Sequence, residues 1–308
     1  LKVLNSIEEI GNEVNRGSVI TLGNFDGIHL GHLSLIKRVK EVSKEKNLPS
    51  ILVTYYPNPA IVLGKNKTLR PVYSEDIKKE IIETFSVDML LTIPFTHEFS
   101  TMHAYEFTKD ILVDKLKPHH IIIGFNHFFG KGRQGDFVFL QSHAEEFDFS
   151  VEKIDQVYSK EEPVSSSKIR ACIQNGEVAK ARELLTRPVM IRGKVVEGFK
   201  RGRQIGFPTA NIKLSGESQI PPEGVYAVYI VLDGKQHKAM LNIGKNPTFG
   251  NQEQSIEAHI FDFNSDIYGK TIDCWFIDRI REEKKFSGIE ELKRQLSLDA
   301  VTVKEILG

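Results

Sequence analysis

Residues 23–32 read Gly23-Asn24-Phe25-Asp26-Gly27-Ile28-His29-Leu30-Gly31-His32, directly after the apolar run Val19-Ile20-Thr21-Leu22. A short apolar run, then glycines, then a mixed stretch with helical spacing predicts a strand, a tight turn and a helix. Glycine lets the backbone come close to a ligand, and a helix start leaves N–H groups unpaired at the positive end of its dipole. Imidazoles there can donate to anionic oxygens, so the place suits the phosphates of a nucleotide. A pair of histidines at a helix start more often only decorates it; here both flank Gly31 just after a strand. No third and fourth ligand stand nearby, which argues against a metal centre.

Working outward, the first 155 residues alternate short apolar strands with longer amphipathic stretches. The strands are Val19 to Leu22, Ile51 to Thr54, Met89 to Ile93, Ile121 to Gly124 and Val151 to Ile154; the helices run near Leu33 to Lys46, Glu75 to Phe85, Ala104 to Lys115 and Phe137 to Glu146. This alternation predicts a Rossmann-like parallel sheet covered by helices, with a nucleotide at the carboxyl ends of its strands. Two short helices follow, about Ser166 to Gln174 and Val178 to Leu185, and the texture changes at Thr186-Arg187-Pro188. Beyond that point the chain is strand-like: Val189 to Val196, Val225 to Leu232, His237 to Ile243, Ile256 to Phe263 and Ile272 to Ile280, with Asp233-Gly234 as a hairpin turn. A helical pair, about Gly288 to Leu296 and Ala300 to Leu307, closes the chain. The expected architecture is an α/β domain over residues 1–185 and a small antiparallel β-barrel with a C-terminal helix over residues 186–308.

A chain of 308 residues can bury two cores. Lys plus Arg and Asp plus Glu both number 41, so no global positive field exists to hold nucleic acid or an anionic membrane. The partners expected are small molecules. Leu1 to Glu13 carry no long apolar segment behind a basic start, and no run of about 18 apolar residues occurs, so a cytoplasmic protein is expected. Cys172 and Cys274 form no C-x-x-C pair and read as ordinary reduced thiols.

Three further segments carry chemistry. Gly124-Phe125-Asn126-His127-Phe128-Phe129-Gly130-Lys131-Gly132-Arg133-Gln134-Gly135-Asp136 contains a literal G-x-G-x-x-G. It comes too late in the domain for a dinucleotide fingerprint and reads instead as a glycine and arginine loop over a ligand. Val164-Ser165-Ser166-Ser167-Lys168-Ile169-Arg170 puts serines at a helix start, which serve as an N-cap and as a second phosphate clamp. In the second half no G-x-x-x-x-G-K-[ST] exists, but Gly198-Phe199-Lys200-Arg201-Gly202-Arg203-Gln204-Ile205-Gly206-Phe207-Pro208-Thr209-Ala210-Asn211 does. Its glycines make a loop whose amides can wrap a phosphate, and Thr209 and Asn211 offer neutral oxygens suited to Mg²⁺.

Together these segments resemble the prokaryotic bifunctional riboflavin kinase/FAD synthetases. The G-x-F-D-G-x-H-x-G-H and S-S-[ST]-x-I-R segments match the adenylyltransferase half. The G-F-P-T-A-N ending matches the kinase half, with Gly224-Val225-Tyr226, Asn242-Ile243-Gly244, Pro247-Thr248-Phe249, Glu257-Ala258-His259-Ile260 and Asp266-Ile267-Tyr268-Gly269. The resemblance implies a nucleotidyltransferase domain followed by a riboflavin kinase barrel, with ATP as co-substrate, Mg²⁺ as cofactor, and riboflavin, FMN and FAD as substrates or products. It implies His29 and His32 in catalysis of adenylyl transfer, with Gly23, Phe25, Gly31, Asn126, Ser166, Ser167 and Arg170 on that ATP. In the kinase it implies Glu257 as base, Gly202, Arg203, Gly206 and Pro208 on ATP, and Thr209 and Asn211 on Mg²⁺. Asn58 and Arg281 are the expected flavin contacts. Two departures from the family pattern stand out: Tyr55-Tyr56-Pro57-Asn58-Pro59 in place of F-[DE]-P-H-P, and Asn126-His127 in place of Asp-Phe. The nearest rival is an active kinase joined to a weakened adenylyltransferase, motivated by Asn58, Asn126 and His127; a flavin sensor without turnover is a rival of a different class, and the intact Thr209, Asn211 and Glu257 argue against it.

Overall fold

The computed structural model describes residues 1–64, 68–198, 202, 205–245 and 254–308. Arg203, the Phe199-Lys200-Arg201 stretch and the Pro247-Thr248-Phe249 match lie outside the described residues. The chain forms two compact units, Leu1–Leu69 with Lys78–Ser165, and Arg70–Ile77 with Ser166–Gly308.

The first unit is built on a six-stranded, wholly parallel sheet of order β1-β4-β3-β2-β5-β6. Its strands are β1 (Lys2–Leu4), β2 (Ser18–Leu22), β3 (Ser50–Tyr56), β4 (Met89–Pro94), β5 (Pro118–Gly124) and β6 (Ser150–Ile154). Every residue of β2 is buried, because helices and loops cover both faces of a central parallel strand; that is why Val19 to Leu22 reads as a nearly unbroken apolar run. One face packs Ile20, Leu22, Ile51, Val53, Leu91, Ile121 and Ile123 with Phe107, Leu112 and Leu116. Helix α1 (Leu30–Lys46) packs on β2, β3 and β5 and buries Leu35, Ile36, Val39 and Val42, at the spacing of one helical face. It stops at Asn47, whose left-handed backbone (φ 52°) returns its N–H to the Lys44 carbonyl. Helices α2 (Pro59–Val62), α3 (Glu75–Glu83), α4 (Ala104–Glu106) and α5 (Phe137–Ser142) follow, α4 running on into a π-helical segment, Phe107–Leu116. A two-stranded hairpin, β7 (Tyr158–Ser159) with β8 (Glu162–Pro163), ends the unit.

In the second unit β9 (Val189–Val196), β10 (Ala210–Leu214), β11 (Gly224–Leu232), β12 (Lys235–Lys245), β13 (Gln254–Ile260) and β14 (Thr271–Arg281) close an antiparallel barrel, in the order β10-β13-β12-β11-β14-β9. Asp233 and Gly234 link β11 to β12 with φ of 48° and 77°, the left-handed pair that a two-residue hairpin turn requires. Helices α6 (Ser166–Gln174) and α7 (Val178–Leu185) also belong here, and α7 packs on β9 and β14. So does the short segment Arg70–Ile77. Tyr73 Oη donates to the Pro188 carbonyl at 3.0 Å, Gln219 N–H donates to the Pro71 carbonyl at 2.7 Å, and Arg192 bridges Asp273 (2.6 Å) and Asp76 (3.3 Å).

The closing helical pair is one continuous helix, α8 (Ile289–Leu307). The polar interruption at Ser297 to Asp299 reads as a break, but Asp299 is only 2% exposed and accepts from Arg281 Nε (2.9 Å), Arg281 Nη2 (2.7 Å) and Gln295 Nε2 (2.8 Å). A paired carboxylate can face the barrel without ending the helix. Asp299→Ala strands the Arg281 guanidinium and is predicted to cost the second unit about 3–5 kcal/mol. Urea unfolding followed by the fluorescence of Trp275, the chain's one tryptophan, checks this. A change below about 1 kcal/mol, as at a surface pair, would contradict it.

Candidate active sites

In the first unit β3, β4 and β1 lie to one side of β2, and β5 and β6 to the other, so strand order reverses between β2 and β5. Ligands of open α/β sheets bind in the crevice outside the carboxyl ends at that reversal. Two loops leave there, Gly23–Ile28 after β2 and the glycine loop after β5.

The first loop is held in an unusual conformation. Phe25, Gly27 and Ile28 have φ of 48°, 81° and 45°. A left-handed β-branched residue costs free energy, and here the complete burial of both Phe25 and Ile28 offsets it. Gly23 N–H donates to Val53 O at 3.0 Å and Thr54 Oγ1 donates to Asn24 O at 3.2 Å, tying the loop to β3. The result sets His29 as the N-cap residue of α1, with its ring stacked on His32 at 3.8 Å between centroids and 17° between planes. Phe25 lies against the other ring at 5.2 Å. A side chain at Gly31 would press to 3.2 Å from the His29 ring, so the glycine of H-x-G-H makes room for the stack.

The loop after β5 is pinned. Phe129 and Gly135 exchange both backbone hydrogen bonds at 2.9 Å, Lys131 N–H donates to Met102 O at 2.8 Å, and Gly130 (φ 70°) sits against the Ala104 backbone, where a Cβ would approach to 2.7 Å. Its G-x-G-x-x-G therefore closes a loop on itself and wraps no dinucleotide turn. Asn126 is exposed. His127 is half-buried as a residue, its Nε2 is buried without a partner among the described residues, and burial lowers its pKa to about 4. Asn58, just past β3, accepts from Ala60 N–H at 2.9 Å and so caps α2. Ser166, Ser167 and Arg170 open α6 in the second unit, Arg170 Nη2 donating to Ser167 Oγ at 3.1 Å.

In the barrel the strand register assembles a second site. Asn211 on β10 and Asn242 on β12 both lie directly opposite Glu257 on β13. Opposed residues share a face. Ile212, Ile256, Ala258 and Ile260 are buried on the inner side, so Asn211, Asn242, Glu257 and His259 stand on the outer one. Thr209 Oγ1 donates to Glu257 Oε2 at 3.0 Å. A Cβ at Gly198 would come within 2.0 Å of the Asn211 amide. A Cβ at Gly202 would come within 2.2 Å of the Phe207 carbonyl, and Gly202 O accepts from Ile205 and Phe207 N–H at 3.2 and 2.9 Å. Gly206 has φ 86°. The outer face is where a merely surface glutamate would also sit; its three polar neighbours set Glu257 apart. The sequence places Asn242 in a matching motif without a place in the site; the β12–β13 register puts it beside Glu257. Arg281 is held by Asp299. Among the described residues no group of three or more His, Cys, Asp or Glu could hold a metal ion. The hard neutral oxygens of Thr209 and Asn211 beside a carboxylate fit Mg²⁺, which takes few protein ligands.

A family model described as FAD synthetase matches residues 11–168, and one described as riboflavin kinase matches residues 185–307. The chain is 36% identical to the bifunctional riboflavin kinase/FMN adenylyltransferase of Bacillus subtilis, over 92% of this chain and 90% of that one. It is 33% identical to the protein of the same name from Escherichia coli, over 100% and 98%. The chain belongs to the bifunctional riboflavin kinase/FMN adenylyltransferase family. A solved structure from Streptococcus pneumoniae, named as a macrolide-efflux protein, is 32% identical and superposes with a TM-score of 0.90 over 98% of each chain. Among the described residues no helix is long and apolar enough to cross a membrane. The histidine stack thus falls within the FAD synthetase match and Glu257 within the riboflavin kinase match.

His127 gives this family member a pH signature. Its imidazole binds a proton near pH 6.5 when unfolded but only near 4 when folded. The unfolded chain therefore takes up the proton first, and the stability tied to neutral His127 is full above about pH 6.5 and drains away toward pH 4. Hydrogen exchange of the β5 amides is predicted to quicken over that window, after correction for intrinsic rates, and to quicken less in His127→Phe. An identical response in both proteins would contradict this.

Proposed function

We propose that the two sites carry two ATP-dependent steps: riboflavin becomes FMN at the barrel, and FMN becomes FAD at the parallel sheet. The observation that carries the kinase half is the Glu257 carboxylate, hydrogen-bonded to Thr209 and flanked across the strands by Asn211 and Asn242. The ribityl 5′-hydroxyl is a neutral alcohol and must lose its proton as it attacks. Glu257 takes that proton, the new O–P bond forms at the γ-phosphorus, and the bond to the leaving ADP breaks. Thr209 and Asn211 hold Mg²⁺, which when bound neutralises charge on the phosphate oxygens. Gly202, Gly206 and Pro208 contact this ATP, as does Arg203, and Arg281 contacts the flavin through the part of its surface that Asp299 leaves open.

The second step needs no base, because the FMN phosphate is already an anion at neutral pH. Its oxygen attacks the α-phosphorus of ATP and pyrophosphate leaves. His29 and His32, stacked at the N-terminus of α1, donate to the charge that builds on the phosphates. Gly23, Phe25, Gly31, Asn126, Ser166, Ser167 and Arg170 bind this ATP, and Asn58 contacts the flavin. We place the functional boundary between residues 185 and 186; the riboflavin kinase match begins at residue 185, whereas the compact units divide between Ser165 and Ser166. Partners are small molecules, and the balanced charge fits an enzyme of the cytoplasm with no nucleic-acid role.

Glu257→Gln is predicted to lower riboflavin phosphorylation at least about 100-fold while FAD still forms from supplied FMN. Unchanged phosphorylation would remove Glu257 as base. The double variant His29→Ala, His32→Ala should lower FAD formation by about 100-fold or more and let FMN accumulate. Normal FAD synthesis in that protein would overturn the phosphate role of the stack.

A further inference from the structure

His259 stands two residues beyond Glu257 on β13, on the same outer face. Its Nδ1 lies 2.8 Å from the carbonyl oxygen of Pro208. A carbonyl can only accept, so Nδ1 carries the hydrogen and donates. The next residue, Thr209, donates from its hydroxyl to Glu257 at 3.0 Å. One strand face thus grips two consecutive residues of the incoming loop, Pro208 by its backbone and Thr209 by its side chain. The imidazole is itself set between two rings, Phe207 at 5.3 Å and 64°, and Phe261 at 5.4 Å and 86°. Edge contacts of this kind fix its plane.

The loop has need of such a grip. Gly206, at φ 86°, holds a conformation that glycine adopts readily, and no heavy atom of the described residues lies within 4 Å of where its Cβ would stand. Proline has no N–H, so the carbonyl is the one backbone group by which Pro208 can be tied. Untied, the Thr209 hydroxyl would sample several positions against the carboxylate.

We propose that His259 is a positioning residue for riboflavin phosphorylation, holding the Pro208 carbonyl so that Thr209 stays registered on Glu257. It rests on Glu257 being the base of that step. His259→Ala removes the donor, and a misplacement of about 1 Å at reacting groups costs about 100-fold in rate. The amide of an asparagine superposes on Nδ1, and that of a glutamine on Nε2, so the two substitutions differ in reach to Pro208.

Five proteins decide it: wild type, His259→Ala, His259→Asn, His259→Gln and Glu257→Gln. Each is assayed for kcat and for KM of ATP in riboflavin phosphorylation, for FAD formation from supplied FMN, and for thermal unfolding. The expected result is a fall of about 100-fold in kcat/KM for ATP in the alanine and glutamine proteins. Asparagine should restore most of the rate, with FAD formation unchanged throughout. Kinase activity near wild type in His259→Ala, or asparagine no better than glutamine, would overturn the positioning role. An active Glu257→Gln protein would instead overturn the base assignment. If His259→Ala does not fold, the asparagine and glutamine pair alone decides.

Discussion

Strand register is the constraint on which both halves of the chain depend. In the parallel sheet, hydrogen bonding of β2 to β3 and to β5 brings all the carboxyl ends to one edge, so loops from distant stretches of sequence gather there. In the barrel, antiparallel pairing sets Asn211, Glu257 and Asn242 abreast on three strands. A slip of one residue on β13 would turn Glu257 into the core and Ala258 out to solvent. The buried Ile256, Ala258 and Ile260 prevent that slip, and so the apolar core places the Glu257 carboxylate.

In the proposed scheme the two sites answer two chemical problems with different groups. An alcohol nucleophile needs a base, and the barrel supplies one carboxylate with a hydroxyl already bonded to it. A phosphate nucleophile needs only its charge managed, and the sheet supplies two imidazoles, a strained turn and a helix start. The strain at Phe25 and Ile28 is part of that arrangement, since it turns the chain sharply enough to stack His29 on His32 within a few residues of β2.

Much of this was legible in the residues. Period, length and glycine punctuation located five of the six strands of the sheet, α1, and five of the six barrel strands, and Asp233-Gly234 marked its hairpin. What escaped has physical reasons. β1 is three residues long at a sheet edge, too short to show alternation. β10 begins at the end of the G-F-P-T-A-N motif, where the nearby Pro208 and the polar Asn211 mask its strand character. Asp299 looked like a helix break because its partner, Arg281, is 18 residues away. The capture of Arg70–Ile77 by the second unit rests on bonds such as Tyr73 to Pro188, which no local pattern encodes. Motifs pointed to the histidines and Glu257; the place of Asn242 beside Glu257 and the His259 bond to Pro208 needed register and distance.

The most direct measurement is the time course of flavins when the purified chain is incubated with riboflavin, ATP and Mg²⁺. FMN should rise first with ADP, then give way to FAD with release of pyrophosphate. FMN that accumulates without FAD, or riboflavin left unconverted, would contradict a chain that carries both reactions.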